Sequence, residues 1–374
     1  MRATCREFPT MPPLSILPVF SLVAQFGRQP TAPLRIWLRA TGYKLRPPRT
    51  VAHFPSVQTR QDIVQFTGRA GLHQRSDILV EKRPGPLPTI IVGGFVPDSA
   101  DAFYLIRSSL MPHGSVYYLN YPRRGFSTEL FLAQLEDLIE EITRTRGCLP
   151  ALIGVSFGAG LVLELLRKAS TDKRELPLAG LILVSPVACA ADLLDPAEPK
   201  PSTLLGRVIK PYLTTPIRTD DSLVEKARSV FLKMFESGAN NKEAMRFVLT
   251  RPESIRLRDS VLSAINAIEP IGAGERVRAL AALPALCEPM PLFSGPALIL
   301  YAEKESSVLV QTSPTWRELR ERCRAWFPRG RYLTVTNATD NPVQHASLIF
   351  HYKNFQPHFA AFYRTLRNGL RQAA

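Results

Sequence analysis

The chain of 374 residues carries a formal net charge of +15, and 45% of its residues are hydrophobic. This composition is typical of a globular protein, and the length suits one large α/β domain with an insertion, or two domains. No stretch of 18 residues is both uncharged and continuously apolar, so no membrane-spanning helix is predicted.

The cysteines predict a reducing environment. They are scattered, odd in number and never spaced C-x-x-C: Cys5, Cys148, Cys189, Cys287 and Cys323. This pattern argues against a disulfide framework and against a zinc site, and it favours free thiols. We therefore expect a cytoplasmic location, with peripheral membrane association as an option that the charge pattern adds.

Positive charge is concentrated near the N-terminus, where we predict a basic Pro/Arg-rich extension over residues 1–55. Residues 1–83 contain 13 Lys and Arg against 4 Asp and Glu, and residues 1–50 contain 8 against the single acid Glu7. Such a region is typical of a solvated leader or of a segment that contacts an anionic partner, and the partner we predict is an anionic membrane. Nucleic acid is not expected, because the basic residues lack the interleaved aromatic side chains of a stacking surface.

One segment of this extension has the pattern of a short basic amphipathic helix, Leu34-Arg35-Ile36-Trp37-Leu38-Arg39. Such a helix can rest on a membrane surface or pack on the main domain. We favour packing through the face that carries Trp37, and we expect no strand within residues 1–50.

From residue 57 the chain alternates strand and helix patterns. Strands are predicted at 61–67, 77–82, 89–92, 116–119, 151–153, 181–184, 297–301 and 332–335, and helices near 131–142, after residue 160, near 314–326 and near 356–369. Continuous β-branched runs such as Thr89-Ile90-Ile91-Val92 are typical of buried parallel strands. The predicted fold class is therefore α/β, a mostly parallel sheet with helices on both faces.

Residues 187–293 interrupt the alternation, because they contain no convincing strand. Helices are predicted near 221–237, 241–249 and 253–268, with joints marked by Pro211, Pro216, Pro252 and Pro270. We predict a helical cap here, inserted into a core formed by residues 56–186 and 294–374. Its apolar residues either line a substrate pocket or form a small core of the cap itself, and the second option is favoured for most of them: Leu223, Val230, Phe231, Met234 and Phe235.

The segment Gly154-Val155-Ser156-Phe157-Gly158 reads G-x-S-x-G between a strand pattern and a helix pattern. On such a turn the serine has strained backbone geometry and an exposed hydroxyl, and side chains in place of the flanking glycines would collide with the strand and helix. The alternative, an ordinary Gly-rich turn or phosphate cradle, fits less well, because the third glycine of a dinucleotide-binding turn is missing. Ser156 is therefore the candidate nucleophile.

Active sites of parallel sheets lie beyond the carboxyl ends of the strands. The residues that follow the predicted strands are Gly93-Gly94-Phe95, Ser156, Glu303 with Glu305, and His345. A serine hydroxyl needs a histidine as base, and the histidine needs a carboxylate to orient it. The chain supplies these groups in the order Ser, Glu, His, which is the order of the α/β-hydrolase fold.

Over about residues 85–186 and 294–370 the sequence resembles the α/β-hydrolase superfamily. Gly94-Phe95-Val96-Pro97-Asp98 is similar to that family's oxyanion loop, with Gly93 where histidine is common, and Tyr121-Pro122-Arg123-Arg124-Gly125-Phe126-Ser127 is similar to the stretch after its next strand. The resemblance implies that the backbone N–H groups of Phe95 and Phe157 form the oxyanion hole.

The resemblance also implies which residues are the acid and the base of the triad. Ala302-Glu303-Lys304-Glu305-Ser306-Ser307-Val308 is similar to the family's Gly-x-x-Asp-x-x-Val turn, which implies Glu305 as the acid and leaves Glu303 as the alternative. His345 follows the last strand, where the family's histidine lies.

The predicted function is that of a serine hydrolase with a Ser-His-Glu triad. Ser156, His345 and Glu305 would cleave a carboxylic ester, lipid-like or otherwise, through an acyl-enzyme intermediate, with a small acyl compound as substrate and no metal or organic cofactor. Acyltransferase, thioesterase or peptidase chemistry at the same site remains open. A non-catalytic binding or scaffold protein on the same fold is the alternative from another class.

Overall fold

The computed structural model describes residues 32–45, 47–50, 74–214, 221–239, 249–338 and 340–373. Two predicted elements fall on the remaining residues. The strand at 61–67 lies outside the described part, and so does nearly all of the helix at 241–249.

Eight strands form a single sheet: β1 Arg49–Thr50, β2 Asp77–Glu81, β3 Thr89–Val92, β4 Val116–Asn120, β5 Ala151–Val155, β6 Gly180–Val184, β7 Ala297–Ala302 and β8 Gly330–Val335. The helices of the described residues are α1 Ala32–Leu45, α2 Ser99–Ala102, α3 Arg107–Leu110, α4 Thr128–Arg146, α5 Phe157–Thr171, α6 Leu204–Thr214, α7 Asp221–Ala239, α8 Arg251–Asn266, α9 Pro270–Ala282, α10 Pro314–Trp326 and α11 Tyr352–Ala373.

The strand order in the sheet is β1-β2-β4-β3-β5-β6-β7-β8. β2 pairs antiparallel with β1 on one side and with β4 on the other. The six neighbouring strands β4, β3, β5, β6, β7 and β8 all pair parallel. The predicted mostly parallel sheet is confirmed. Because the carboxyl ends of parallel strands share one edge, the residues that follow β3, β5, β7 and β8 meet there.

The central strands are buried on both faces, which explains their continuous apolar sequences. In β3 the side chains of Ile90 and Val92 belong to one core cluster, with α4, α5 and α10, whereas Ile91 belongs to the cluster on the opposite face, with α2, α3 and α11. This alternation is the two-residue period of a strand. Helices on both faces of the sheet confirm the predicted layers.

The predicted strands at 77–82, 89–92, 116–119, 151–153, 181–184, 297–301 and 332–335 are confirmed within two residues at each end. The expectation of no strand within residues 1–50 was wrong. β1 pairs with β2, with Arg49 opposite Val80. A strand of two residues has no periodicity, so only its pairing with β2 identifies it.

Four helices connect β6 to β7 in the described part of this connection. The structure confirms predicted helices at α7 and α8, but α6 and α9 were not predicted. The interpretation of Pro211 as a joint was wrong, because Pro211 lies inside α6. Pro252 and Pro270 lie in the first turns of α8 and α9, where a backbone N–H has no partner within the helix, so its absence in proline costs no hydrogen bond. The assignment of residues 187–293 as a cap stays a prediction.

The helix predicted around Leu34–Arg39 is present as α1, and it contacts the rest of the protein differently than expected. Trp37 is 47% exposed, so packing through Trp37 was wrong. Instead, Arg39 donates to the Glu253 carboxylate at 3.0 Å, and the ring of Tyr43 meets Tyr104 edge-on with centroids 5.0 Å apart. Within the described residues, no helix combines the length and hydropathy needed to span a bilayer.

Candidate active site

Ser156 occupies the turn between β5 and α5, with φ of 50° and ψ of −119°. This conformation is unfavourable for a residue with a side chain and is characteristic of serine turns of this kind. The Ser156 N–H donates to the carbonyl of Val184 on the neighbouring strand at 2.9 Å, which helps to hold the strained residue in place.

The glycines around Ser156 are required by close approach of the backbone. A Cβ atom on Gly158 would lie 2.2 Å from the carbonyl oxygen of Gly93, and one on Gly154 would lie 2.7 Å from the Cα atom of Ala159. Both distances are far below contact distance, so a side chain at either position would force strand and helix apart. The collision predicted from the sequence is therefore present.

The structure brings Ser156, His345 and Glu305 together from three separate strand ends. His345 Nε2 lies 3.0 Å from Ser156 Oγ, and His345 Nδ1 is hydrogen-bonded to Glu305 Oε2. The Ser156 hydroxyl thus contacts one imidazole nitrogen while a carboxylate contacts the other. Because the Glu305 carboxylate accepts the hydrogen on Nδ1, the imidazole can receive the serine proton at Nε2.

The carboxylate of Glu305 is held by two further donors. It is 1% exposed, and its Oε1 accepts hydrogen bonds from the Ser185 hydroxyl and from the N–H of Ala302, both at 2.6 Å. These bonds leave Oε2 for His345. The longer glutamate side chain is therefore held in one conformation, in which its carboxylate contacts the histidine.

Ser185 was not among the predicted site residues. It follows β6 with a φ of 44°, and its Oγ contacts both Glu305 and the N–H of Ala346, at 2.6 Å and 3.3 Å. The available signal was positional, because Ser185 directly follows a predicted parallel strand beside the strand that leads to Ser156.

Glu303, the alternative acid, has other partners. Its Oε1 accepts the N–H groups of Val343 at 2.7 Å and Asn337 at 3.1 Å. Glu303 therefore anchors the loop that carries His345, while the carboxylate in contact with the imidazole is that of Glu305.

The loop after β3 lies directly against the serine. A Cβ atom on Gly94 would be 3.4 Å from Ser156 Cβ, and the rings of Phe95 and Phe157 stack with centroids 4.4 Å apart and planes at 2°. No group in the described part of the chain accepts a hydrogen bond from the N–H of Phe95 or of Phe157. Two backbone donors near Ser156 are thus left for a ligand.

Buried hydrogen bonds hold this loop in position. The Gly93 N–H donates to Ser99 Oγ at 3.0 Å, and Ser99 Oγ donates to the Leu119 carbonyl at 2.5 Å. The Tyr121 hydroxyl donates to the Gly93 carbonyl at 2.7 Å. Burial raises the pKa of Tyr121, so its hydroxyl remains a donor over the whole physiological range.

Metal binding has no obvious location in the described residues. They contain no group of three or more His, Cys, Asp and Glu side chains arranged to hold an ion. The polar groups around Ser156 instead form one chain of hydrogen bonds that ends at the serine hydroxyl.

No family model and no curated protein matches the chain. Solved structures do. An esterase from Thermogutta terrifontis superimposes with a TM-score of 0.52 at 17% identity, covering 78% of this chain and 94% of that one. Bromoperoxidase from Bacillus anthracis gives a TM-score of 0.52 at 19% identity, covering 77% of this chain and 96% of that one. An esterase from Rhodococcus sp. gives a TM-score of 0.51 at 14% identity, covering 78% of this chain and 96% of that one. The chain has the α/β-hydrolase fold, as the sequence predicts.

Proposed function

We propose that the protein is a serine hydrolase that cleaves a carboxylic ester through an acyl-enzyme intermediate. One observation carries the proposal: a serine on a strained strand-to-helix turn lies 3.0 Å from His345 Nε2, and Nδ1 of the same ring contacts a buried carboxylate. Neighbours of the same fold that are named esterases support the reaction class.

Acylation follows from the roles of these groups. Ser156 Oγ attacks the ester carbonyl carbon as its proton passes to His345 Nε2, and the carbonyl oxygen becomes an oxyanion. Glu305 holds the Nδ1–H tautomer and stabilises the imidazolium without accepting its proton. The C–O bond to the alcohol then breaks, and the departing alkoxide takes the proton from Nε2.

The developing oxyanion is stabilised by the backbone N–H groups of Phe95 and Phe157. Donors that are fixed before the reaction need no reorganisation, and loss of one such donor typically lowers kcat by about 100- to 1000-fold. The buried hydrogen bonds that Gly93 donates to Ser99 Oγ and accepts from the Tyr121 hydroxyl keep the first of these donors close to the serine.

Deacylation repeats the sequence with water in place of serine. His345 removes a proton from water, the hydroxide attacks the acyl carbon, and Ser156 leaves with the proton returned from Nε2. An acceptor other than water would give acyl transfer, so product analysis with competing alcohol, thiol and amine acceptors distinguishes hydrolase from transferase.

A labelling experiment tests the proposal. Ser156→Ala should abolish covalent labelling by a fluorophosphonate and lower ester turnover by about a million-fold, the loss typical of removing the nucleophile of a triad. Ser170→Ala, a change at the far end of α5, is the matched control and should label normally. Labelling that persists in folded Ser156→Ala protein would reject the nucleophile, and labelled wild-type protein without any turnover would favour a binding protein.

A further inference from the structure

Arg276 is a buried arginine that the mechanism above does not use. It lies on α9 and is 2% exposed. Its Nη2 donates to the Pro122 carbonyl at 2.6 Å and its Nη1 donates to the Phe95 carbonyl at 3.3 Å. Within the described residues, its Nε has no hydrogen-bond partner and no carboxylate lies within ion-pair distance of the guanidinium. Three of its five N–H groups are therefore unused.

A buried cation without a counter-ion is unfavourable. Burial, with a smaller effect of Arg123, lowers the pKa of Arg276 to about 10, so the group still carries its charge at neutral pH. The ring of Tyr121, whose centroid is 5.2 Å away, offsets part of the desolvation. The nearby carboxylate of Asp98 is already paired with Arg123. Two neutral hydrogen-bond donors could bind the carbonyls of Phe95 and Pro122 equally well, so these two hydrogen bonds do not explain why a charged side chain is buried at this position.

Arg276 lines a cavity that begins at the oxyanion loop. The cavity is almost wholly apolar, and its walls come from that loop and from α6, α7 and α9: Phe95, Val96, Leu205, Ile209, Phe231 and Val277. Its volume of about 40 Å³ admits a small number of water-sized groups. Because Phe95 belongs both to the cavity wall and to the proposed oxyanion hole, the acyl chain of a substrate whose carbonyl lies on Ser156 would extend into this cavity.

We propose that Arg276 binds a carboxylate at the far end of a short acyl chain, so that the preferred substrates are monoesters of short dicarboxylic acids. This inference rests on the function proposed above. The apolar walls would contact the methylene groups between the two carbonyl carbons. A carboxylate bound there would meet the unpartnered Nε–H of Arg276, and an Nε–H with a neighbouring Nη–H is the parallel pair of donors that a carboxylate matches. The small volume of the cavity favours short chains.

The test compares two esters of matched shape, monoethyl glutarate and ethyl 5-methylhexanoate, in which an isopropyl group replaces the carboxylate. The readout is the ratio of kcat/KM for the anionic ester to kcat/KM for the neutral ester. Arg276→Met should lower this ratio by about 10- to 100-fold, the range for a hydrogen bond to a charged group. Arg276→Lys, which keeps the charge but loses the paired donors, should give an intermediate ratio.

Arg278→Met is the matched control, because it removes the same charge from the same helix without removing a cavity-lining group. Its ratio should equal that of the wild type. An equal loss on both esters in Arg276→Met would mean that Arg276 only holds the oxyanion loop, and the inference would be wrong. A wild-type enzyme that prefers the neutral ester would also reject it while leaving the proposed function intact.

A second measurement does not depend on turnover. Glutarate should slow fluorophosphonate labelling of Ser156 in the wild type and not in Arg276→Met. Absence of protection in the wild type overturns the inference. Failure of the proposed function is a separate result, since it appears as absence of Ser156 labelling without any glutarate.

Discussion

At the scale of single residues, two acids of one turn have different partners. Glu305 is buried and contacts His345, Ser185 and the N–H of Ala302. Glu303, two residues earlier, is exposed, and its Oε1 accepts backbone N–H groups of the loop that carries His345. The direction of the chain after β7 therefore decides which carboxylate reaches the imidazole.

This difference predicts unequal effects of the same substitution. Glu305→Gln should lower kcat by about 10⁴-fold, as loss of the orienting carboxylate does in a comparable triad, because the amide no longer fixes the Nδ1–H tautomer. Glu303→Gln is the matched control, since Gln keeps an oxygen that can accept both N–H groups, and its kcat should stay close to that of the wild type. Steady-state turnover of one neutral ester measures both. A larger loss for Glu303→Gln would reject the assignment of the acid.

At the scale of elements, a partly buried acid joins two helices. Asp101 on α2 accepts a hydrogen bond from the Ser260 hydroxyl on α8 at 2.8 Å. Burial raises the pKa of Asp101 from 3.8 to about 6, and the nearby Asp98 adds to the rise, against the effects of Ser260, Arg256 and Arg123. The folded state thus binds this proton more tightly than the unfolded state does.

The sign of the pH dependence follows. The contribution of Asp101 to stability is fully present below about pH 4 and is lost as the pH rises through about 6. Asp101→Asn should therefore be more stable than the wild type at pH 7.5, by about 1 to 2 kcal/mol after allowance for partial exposure, and equal to it near pH 4. Urea unfolding at both pH values measures the difference, with the exposed Asp259→Asn as control. A constant difference at both pH values would contradict this prediction.

At the scale of the whole molecule, the charge is uneven. Residues 1–83 carry 13 basic against 4 acidic residues, a balance of +9, which leaves +6 of the total of +15 for the other 291 residues. Part of the basic region is structural, because Arg39 pairs with Glu253 and Arg49 lies in β1. Contact of the remaining charges with an anionic membrane stays a prediction.

Charge removal in the full chain tests it. Arg35, Lys44 and Arg46 contribute three of the eight basic residues within 1–50. Replacing all three with alanine should weaken salt-sensitive binding to phosphatidylserine vesicles by about 3 kcal/mol if each contributes its usual amount near an anionic surface. Vesicle sedimentation at two salt concentrations measures binding, and turnover of a soluble ester should not change. Deletion of residues 1–50 is a poorer test, because it also removes the Arg39–Glu253 pair and β1. Equal binding by the triple variant would reject membrane contact.

The local sequence pattern was sufficient to predict the central strands, the serine turn and several helices. The β-branched run of β3, the strand and helix on either side of Ser156, and the helix α10 all follow from residues close together in the chain. The candidate nucleophile and base could be named because each follows a strand of a parallel sheet, whereas the choice of Glu305 over Glu303 came from the resemblance to the α/β-hydrolase superfamily. The elements that local pattern did not predict include β1, which exists through pairing with β2, α6, which continues through Pro211, and α9.

Contacts between distant residues were decided by the tertiary structure alone. The sequence could not show that Ser185 supports Glu305 across 120 positions, or that Arg39 meets Glu253 across 214. It also could not distinguish Arg276 from the other basic residues of the chain. What separates Arg276 is its burial beside the Phe95 loop without an acidic partner among the described residues, a property that this loop and helices α6, α7 and α9 create only when they pack together.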